Sequence, residues 1–526
     1  MTNAVSTKGM VTSPHALASE CGAKILNAGG TAVEAAIATC AALYVTYPHF
    51  CGLGGDTLML IADHKGKVQA VSGIGQAASN TTGYETHIPV RGARSALTSA
   101  GALAALENAW LIGKDHMDGQ KTWSSLWEPA LELAFGGYPV SESERFWLSF
   151  RESERRTLKN VFTNFCTGNV LPNVGALRRR KDLGNTLLAI ANRGARDFYE
   201  GELAFQLAKG LEKAGSPLGA QDLANTRART EQPIAIDYRD GVLMSLPPPS
   251  QGMSTLQIMG ILNNVDFSNL PQGGVDHFHW MVEAVKLAFI DRKQYLADSE
   301  SVEIPLKKLL SKDYLFQQAQ QIHPNQARDW PHTHQSGDTV YVATADAMGN
   351  AVSVLATVYY DWGSGVMVGD TGILLHNRGA AFSTQAQHPN ALAPGKRPMH
   401  TLNPGMYLKN NKPNILFGTQ GADGQPQTLA AILTRLIDYE MDPYAALSAP
   451  RFLLGKTFSD STDNLKIEKD IAADTVEALQ ARGHALSFLE AHSPLMGHSG
   501  AIVVNTDTGE MIGTHDPRSD GLAIGI

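Results

Sequence analysis

The stretch that decides the reading runs from Gly337 to Tyr359: Gly337-Asp-Thr-Val-Tyr-Val-Ala-Thr-Ala-Asp346, Ala347-Met-Gly-Asn350, Ala351-Val-Ser-Val-Leu-Ala-Thr-Val-Tyr359. Residues 339–346 alternate as a strand does, 347–350 carry turn chemistry, and 351–358 form a second strand, so a hairpin is predicted. The segment before it, residues 320–338, is polar, contains Pro and has no periodicity, which predicts a linker. Thr339 stands where linker meets strand. A threonine hydroxyl is a poor nucleophile near neutral pH without a base beside it. Freed as a new N-terminus, Thr339 would carry its own base, an α-amine of pKa ~7.7–8.0. The cleavage that frees it is the same chemistry: its hydroxyl attacks the Asp338 carbonyl, the peptide becomes an ester, and water resolves the ester. A threonine opening a strand after a loop is also commonplace, so these residues alone do not select that reading.

Outward from the hairpin, the chain of 526 residues predicts helices at Ser13–Ala28 and Thr31–Ala42, the second with Thr31 and Glu34 as a capping box. Further helices are expected at 96–111, 124–134, 202–214, 277–296, 427–439 and 471–481. Strand-like runs fall at 406–408, 415–418 and 501–504. Length alone suggests three or four domains. A net charge of −8 excludes the electrostatic footprint of a nucleic-acid binder. The one dense basic cluster, Arg178-Arg-Arg-Lys181, reads as a solvated loop. The longest apolar run, about 35–47, falls short of the ~20 residues that cross a bilayer, and the N-terminus lacks signal-peptide character, so a cytoplasmic protein is expected. Four cysteines, Cys21, Cys40, Cys51 and Cys166, make neither a disulfide framework nor a C-x-x-C zinc site. His332-Thr-His334 reads as solvated rather than metal-binding. Gly497-His-Ser-Gly500 misses the serine-hydrolase elbow by one residue, and Gly52-x-Gly-Gly and Gly363-x-Gly365 are not dinucleotide fingerprints.

Thr31-Ala-Val-Glu-Ala-Ala-Ile-Ala, Gly52-Leu-Gly-Gly-Asp56, Phe198-Tyr-Glu-Gly201, Pro247-Pro-Pro-Ser250, Gly337-Asp-Thr339, Gly349-Asn-Ala-Val352, Gly363-Ser-Gly365, Gly395-Lys-Arg-Pro398 and Asp516-Pro-Arg518 occur in one order along nearly the whole chain. As an ordered set they resemble the landmarks of the γ-glutamyltransferase family. The resemblance implies an α/β fold, the αββα four-layer sandwich of N-terminal-nucleophile hydrolases. It also implies self-cleavage between Asp338 and Thr339 into chains 1–338 and 339–526, which would stay intertwined as one domain. By the same resemblance Thr339 is the nucleophile and Thr357 hydrogen-bonds the nucleophile's oxygen. Gly421 and Ala422 in Gly418-Thr-Gln-Gly-Ala422 supply the oxyanion-binding N–H groups. Ala422 replaces a glycine of the family, which raises the question of whether its backbone reaches the required angles.

The expected substrate pocket departs from the family pattern. Residues 75–82 lack the arginine that holds a glutamate α-carboxylate, Met399-His400-Thr401 replaces a Ser-Ser pair, and Tyr359 replaces an Asn. Arg378 and Ala381 stand where the family has a Gln and the Asp that anchors an α-ammonium. An arginine there disfavours an ammonium and suits a planar carboxylate. Arg378, His400, Thr401 and Tyr359 are therefore expected to bind a small anionic amide, with Trp362 helping to narrow the cavity. The family includes an enzyme of purine-nitrogen salvage that splits oxamate into oxalate and ammonia, and oxamate is the leading expected substrate. γ-Glutamyl hydrolysis, another acylase activity and an unprocessed, non-catalytic binding protein are the alternatives. Pairing of Arg378 with Asp361, Asp370 or Asp423 would remove its functional meaning. No cofactor, metal, nucleic acid or membrane is expected; the partners are the substrate and the two halves of the chain, with further association of such pairs left open.

Overall fold

A computed structural model describes residues 2–155, 157–168, 170–330, 337–456 and 462–526. Two seven-stranded sheets, antiparallel throughout, form its centre. The first runs 522–525, 9–13, 338–346, 351–359, 56–62, 68–73 and 229–231 in spatial order; the second runs 4–6, 511–515, 499–504, 412–419, 405–409, 241–245 and 234–238.

The hairpin explains the layering. Because side chains alternate along a strand, Val340, Val342, Val352, Val354 and Ala356 face one way, into a core shared with helices Ala16–Asn27, Ala32–Thr46 and Ala102–His116. Tyr341, Ala343, Ala345, Ala351 and Leu355 face the other way and meet Met406, Leu416 and Ile502 of the second sheet. The outer face of that second sheet, with Leu243, Tyr407, Ile415 and Phe417, packs under helices Gly252–Leu262, Val275–Tyr295 and Gly424–Leu433. Helix, sheet, sheet, helix: the expected αββα sandwich is what forms. Strands buried on both faces also explain why the hairpin is so continuously apolar.

The predicted capping box is present: Thr31 Oγ1 accepts from the Glu34 N–H at 3.3 Å, and Glu34 Oε2 accepts from the Thr31 N–H at 2.8 Å. Asp346, at the hairpin turn, accepts a further N–H of that helix from Ala32 at 2.9 Å. Four expectations shift. The helix placed at 96–111 begins only at Ala102, because residues 97–99 pair with 76–78, and Gly75 and Gly101 both donate to Asp56. The run 124–134 is a short 3₁₀ turn followed by the helix Glu128–Gly136. The helix placed at 427–439 starts at Gly424 and its last turn, Thr434–Asp438, widens to a π-helix. Thr434 there bonds the Ala430 and Ala431 carbonyls and Arg435 reaches out to Ala446, Ala449 and Pro450. The basic cluster is solvated only at Arg179 and Lys181: Arg178 pairs with Glu144 at 2.7 Å, and Arg180 donates to the Tyr44 and Gly372 carbonyls. His332 and His334 lie outside the described residues.

All four cysteines are buried and free. Asp516 and Arg518 form a buried ion-pair network with Arg451 and Glu468, a structural role for that segment. Among the described residues no helix is long and apolar enough to cross a membrane.

Candidate active site

The hairpin register breaks at Thr339. Asp338 opposes Tyr359 and Val340 opposes Ala356, with an irregularity between them. Such a bulge bends a strand and re-aims a side chain, and bulges gather beside active sites. Thr339 is buried, and its Oγ1 accepts from Gln425 Nε2 at 3.2 Å. The Thr357 hydroxyl donates to the Asp338 carbonyl oxygen and accepts the Tyr359 N–H at 2.7 Å. This differs from the expected bond to the nucleophile's oxygen: in the continuous chain the one proton of Thr357 is committed to the carbonyl of the Asp338–Thr339 peptide, the bond expected to break.

Gly337 leads into that peptide under tight constraint. A Cβ on it would lie 2.7 Å from the Tyr359 ring and 3.3 Å from the Ala422 Cβ. The Asp338 side chain accepts from Gln420 Nε2. Burial and then the like charge of Asp361 push the Asp338 carboxyl up to about 8, against the opposing pull of Arg151. Asp361 itself is gripped by Arg151 through two 2.8 Å bonds.

The loop 420–423 connects a strand of the second sheet to the helix Gly424–Leu433. Ala422 takes φ +45° and Gly421 φ +125°, so the alanine does reach the left-handed region, at a strain of about 1 kcal/mol. Its carbonyl is held by Gln251 Nε2 at 2.7 Å and by the Gln425 N–H at 3.1 Å. Among the described residues, neither the Gly421 nor the Ala422 N–H meets an acceptor. Two adjacent unpaired donors are what a developing oxyanion requires.

Arg378 is fully buried. Both terminal guanidinium nitrogens approach Thr401 Oγ1, at 3.3 and 3.2 Å, its plane lies 3.7 Å from the Tyr359 ring centroid, and its Nε has no partner among the described residues. The anticipated ion pairs are absent: Asp361 is taken by Arg151, Asp423 by Arg292 at 2.7 and 2.9 Å, and Asp370 is exposed. Burial pulls Arg378 down to about 10, so it remains a cation at neutral pH. Tyr359 takes φ +76°, rare for so large a side chain; its ring stacks on Tyr360 and lies beneath Arg378.

Expectation and structure part at two further residues. The ring nitrogens of His400 are both used: Nε2 donates to Asp56 at 3.1 Å and Nδ1 accepts from the Leu402 N–H at 3.2 Å. Burial and then Arg378 hold His400 down at about 3, so it is a neutral support beside the arginine rather than an anion ligand. Trp362 packs against Phe162 and Phe165. Residues the sequence reading left unassigned complete the surroundings. Asp56 faces His376 and His400 and binds two backbone N–H groups; burial opposes its charge, but the two rings outweigh burial and hold it well below the usual carboxylate range. Gln251, Gln420 and Gln425 adjoin motifs already singled out. Arg151 and Arg292 belong to helical stretches that carry no local signal.

The model of the gamma-glutamyltranspeptidase family matches residues 18–526. The chain is 38% identical over 541 residues to the glutathione hydrolase-like YwrD proenzyme of Bacillus subtilis, and 38% identical over 525 residues to the oxamate amidohydrolase proenzyme of Klebsiella pneumoniae, covering 99% of both chains in each case. It superposes on the cephalosporin acylase of Bacillus halodurans with a TM-score of 0.91 at 32% identity, covering 100% of this chain and 97% of the other. Relatives named as hydrolases of amide bonds, an N-terminal-nucleophile-hydrolase fold and a family match over almost its full length establish that this chain is an amide-cleaving member of the gamma-glutamyltranspeptidase family.

Proposed function

We propose that the chain is the precursor of an N-terminal-threonine amidohydrolase for a small anionic amide, with oxamate as the substrate that suits its site best. The observation that carries this reading is Arg378, a buried guanidinium without a carboxylate. Asp56 and Asp423 offset its charge only through space, with no carboxylate in hydrogen-bond reach, and a buried guanidinium paired so loosely favours an arriving anion. Thr401 and Tyr359 fix the plane of the fork but bring no negative charge. A planar carboxylate would complete it bidentately. An α-ammonium, as on a γ-glutamyl group, would meet a cation instead.

In this reading the chain first acts on itself. Thr339 Oγ attacks the Asp338 carbonyl, whose oxygen the Thr357 hydroxyl polarises; the C–N bond breaks as the ester forms, and water releases Asp338 as a C-terminus. The freed Thr339 amine then takes the proton of its own hydroxyl during attack on the substrate amide. The Gly421 and Ala422 N–H groups hold the oxyanion, and the amine returns the proton to the departing ammonia. Water, activated by the same amine, hydrolyses the acyl-threonine. Oxamate suits this because its carboxylate is bonded directly to the reacting carbonyl carbon, so one fork both binds the anion and orients the carbonyl. The YwrD and oxamate amidohydrolase relatives share the same identity with this chain and bear different names, so the choice rests on Arg378.

The test is ammonia release from oxamate and glutamine, and glutamate release from glutathione, by the incubated protein. The expected result is ammonia from oxamate, abolished in Thr339→Ala. Release from the glutamyl compounds alone would overturn the assignment of Arg378.

A further inference from the structure

Gln251 is fully buried and follows Pro247-Pro-Pro-Ser250, a run tied to the next segment by the Gln251 N–H to the His400 carbonyl, 2.8 Å, and the His400 N–H to the Pro249 carbonyl, 2.7 Å. Its amide joins the two halves of the site. Nε2 donates to the Thr401 carbonyl at 2.6 Å and to the Ala422 carbonyl at 2.7 Å. Oε1 accepts from Arg292 Nη1 at 3.0 Å, and Arg292 is fixed by its two bonds to Asp423. The orientation follows from the partners: two carbonyl oxygens require the NH₂ end, and a guanidinium requires the oxygen. Thr401 is the residue whose hydroxyl meets Arg378, and Ala422 is the residue strained at positive φ with an unpaired N–H.

We propose that Gln251 is a positioning residue that sets the distance between the substrate's carboxylate and its oxyanion, by clamping the Thr401 and Ala422 backbones to one amide. The assignment rests on the proposed amidohydrolase reaction for its kinetic consequence, though not for its structural one. The clamp explains how Ala422 is kept in a conformation that a glycine would take freely. It also gives this site a short, fixed span between anion and reacting carbonyl, which matters because a shift of about 1 Å costs on the order of a hundredfold in rate. A carboxylate in place of the amide would face both carbonyl oxygens without a proton for either.

The experiment uses the matured full-length protein and the variants Gln251→Met and Gln251→Glu, the second nearly isosteric should the first fold poorly. Kinetics are expressed per titratable Thr339. With an anionic amide both variants should lose on the order of 10–100-fold in kcat and raise KM. With a neutral amide of the same size only kcat should fall. The KM effects of Gln251→Met and Arg378→Lys should be non-additive in the double variant, since both act on one anion site. In a crystal structure of either variant, the 421–423 loop and the Thr401 backbone should be displaced. An unchanged kcat per site, an equal KM rise on both substrates, or Ala422 still at positive φ with the loop unmoved would each overturn the assignment. A wild-type protein inactive on every anionic amide would instead overturn the proposed reaction, while the crystal structures would still decide the role of Gln251.

Discussion

Arg378, Thr357 and Asp338 each make a claim that a single substitution decides. Arg378→Lys keeps the charge and removes the planar fork. A charge-assisted bidentate contact is worth roughly 1.5–3 kcal/mol, so KM for an anionic amide should rise about 10–150-fold while a neutral amide is barely affected; equal losses on both would show that Arg378 serves the fold. Thr357→Val removes the proton donated to the Asp338 carbonyl and should slow self-cleavage by about 10²–10³-fold, the usual cost of one oxyanion donor, with Thr357→Ser retaining it. The readout is the fraction of uncut chain over time on a denaturing gel. Asp338 gives a pH dependence in uncut protein carrying Thr339→Ala. Its carboxyl titrates near 3.9 when unfolded and at about 8 when folded. The folded state therefore holds a proton that the unfolded state has lost, and the stability tied to protonated Asp338 declines as pH rises from about 4 through about 8. Adding Asp338→Asn should make the protein progressively more stable than its parent across that interval, measured by denaturant midpoint. A difference independent of pH would contradict the burial argument. Thr339, Arg378 and the Gly421-Ala422 pair could be singled out in the sequence because each falls in or beside an ordered motif, and the structure places Tyr359 between them, opposite Asp338 and under Arg378. The partner that Thr357 takes in the uncut chain, the Asp338 carbonyl, was not legible, since it depends on how the bulged hairpin aims one hydroxyl.

At the scale of elements, the helix Ala32–Thr46 was readable because Thr31 and Glu34 satisfy each other's backbone donors, a local chemistry that needs no tertiary information. Thr31→Ala should cost about 1 kcal/mol in the uncut protein, seen as a lower denaturant midpoint with an unchanged slope; no shift would mean that Asp346 carries the helix start by itself. The hairpin was readable for a similar reason, its alternation and its Gly349 turn being local. The start of the helix at Ala102 was not, because residues 97–99 pair with 76–78 and Asp56, far away in sequence, takes the Gly101 N–H, and a helix-compatible composition loses to those bonds. Arg180 misled in the same way: a run of basic residues looks solvated until distant carbonyls, here of Tyr44 and Gly372, take up its donors.

At the scale of the molecule, length suggested several domains, yet the fold is one interleaved sandwich. Strands from both sides of residue 338 alternate within each sheet: 9–13 lies between 522–525 and 338–346, and 405–409 lies against 241–245. A sheet bonded across the break does not come apart when one peptide is cut. The matured halves should therefore run together on a native sizing column and separate only in denaturant; separation without denaturant would contradict the strand order. The measurement that tests the central claim most directly is the intact mass of the protein after incubation, under denaturing conditions, beside Thr339→Ala. Two species of about 36 and 20 kDa, in proportion to chain length, the smaller beginning at Thr339, with Thr339→Ala remaining at 56.5 kDa, is the predicted result. A wild-type chain that stays whole while releasing ammonia, or a Thr339→Ala chain that is cut at the same bond, would contradict it.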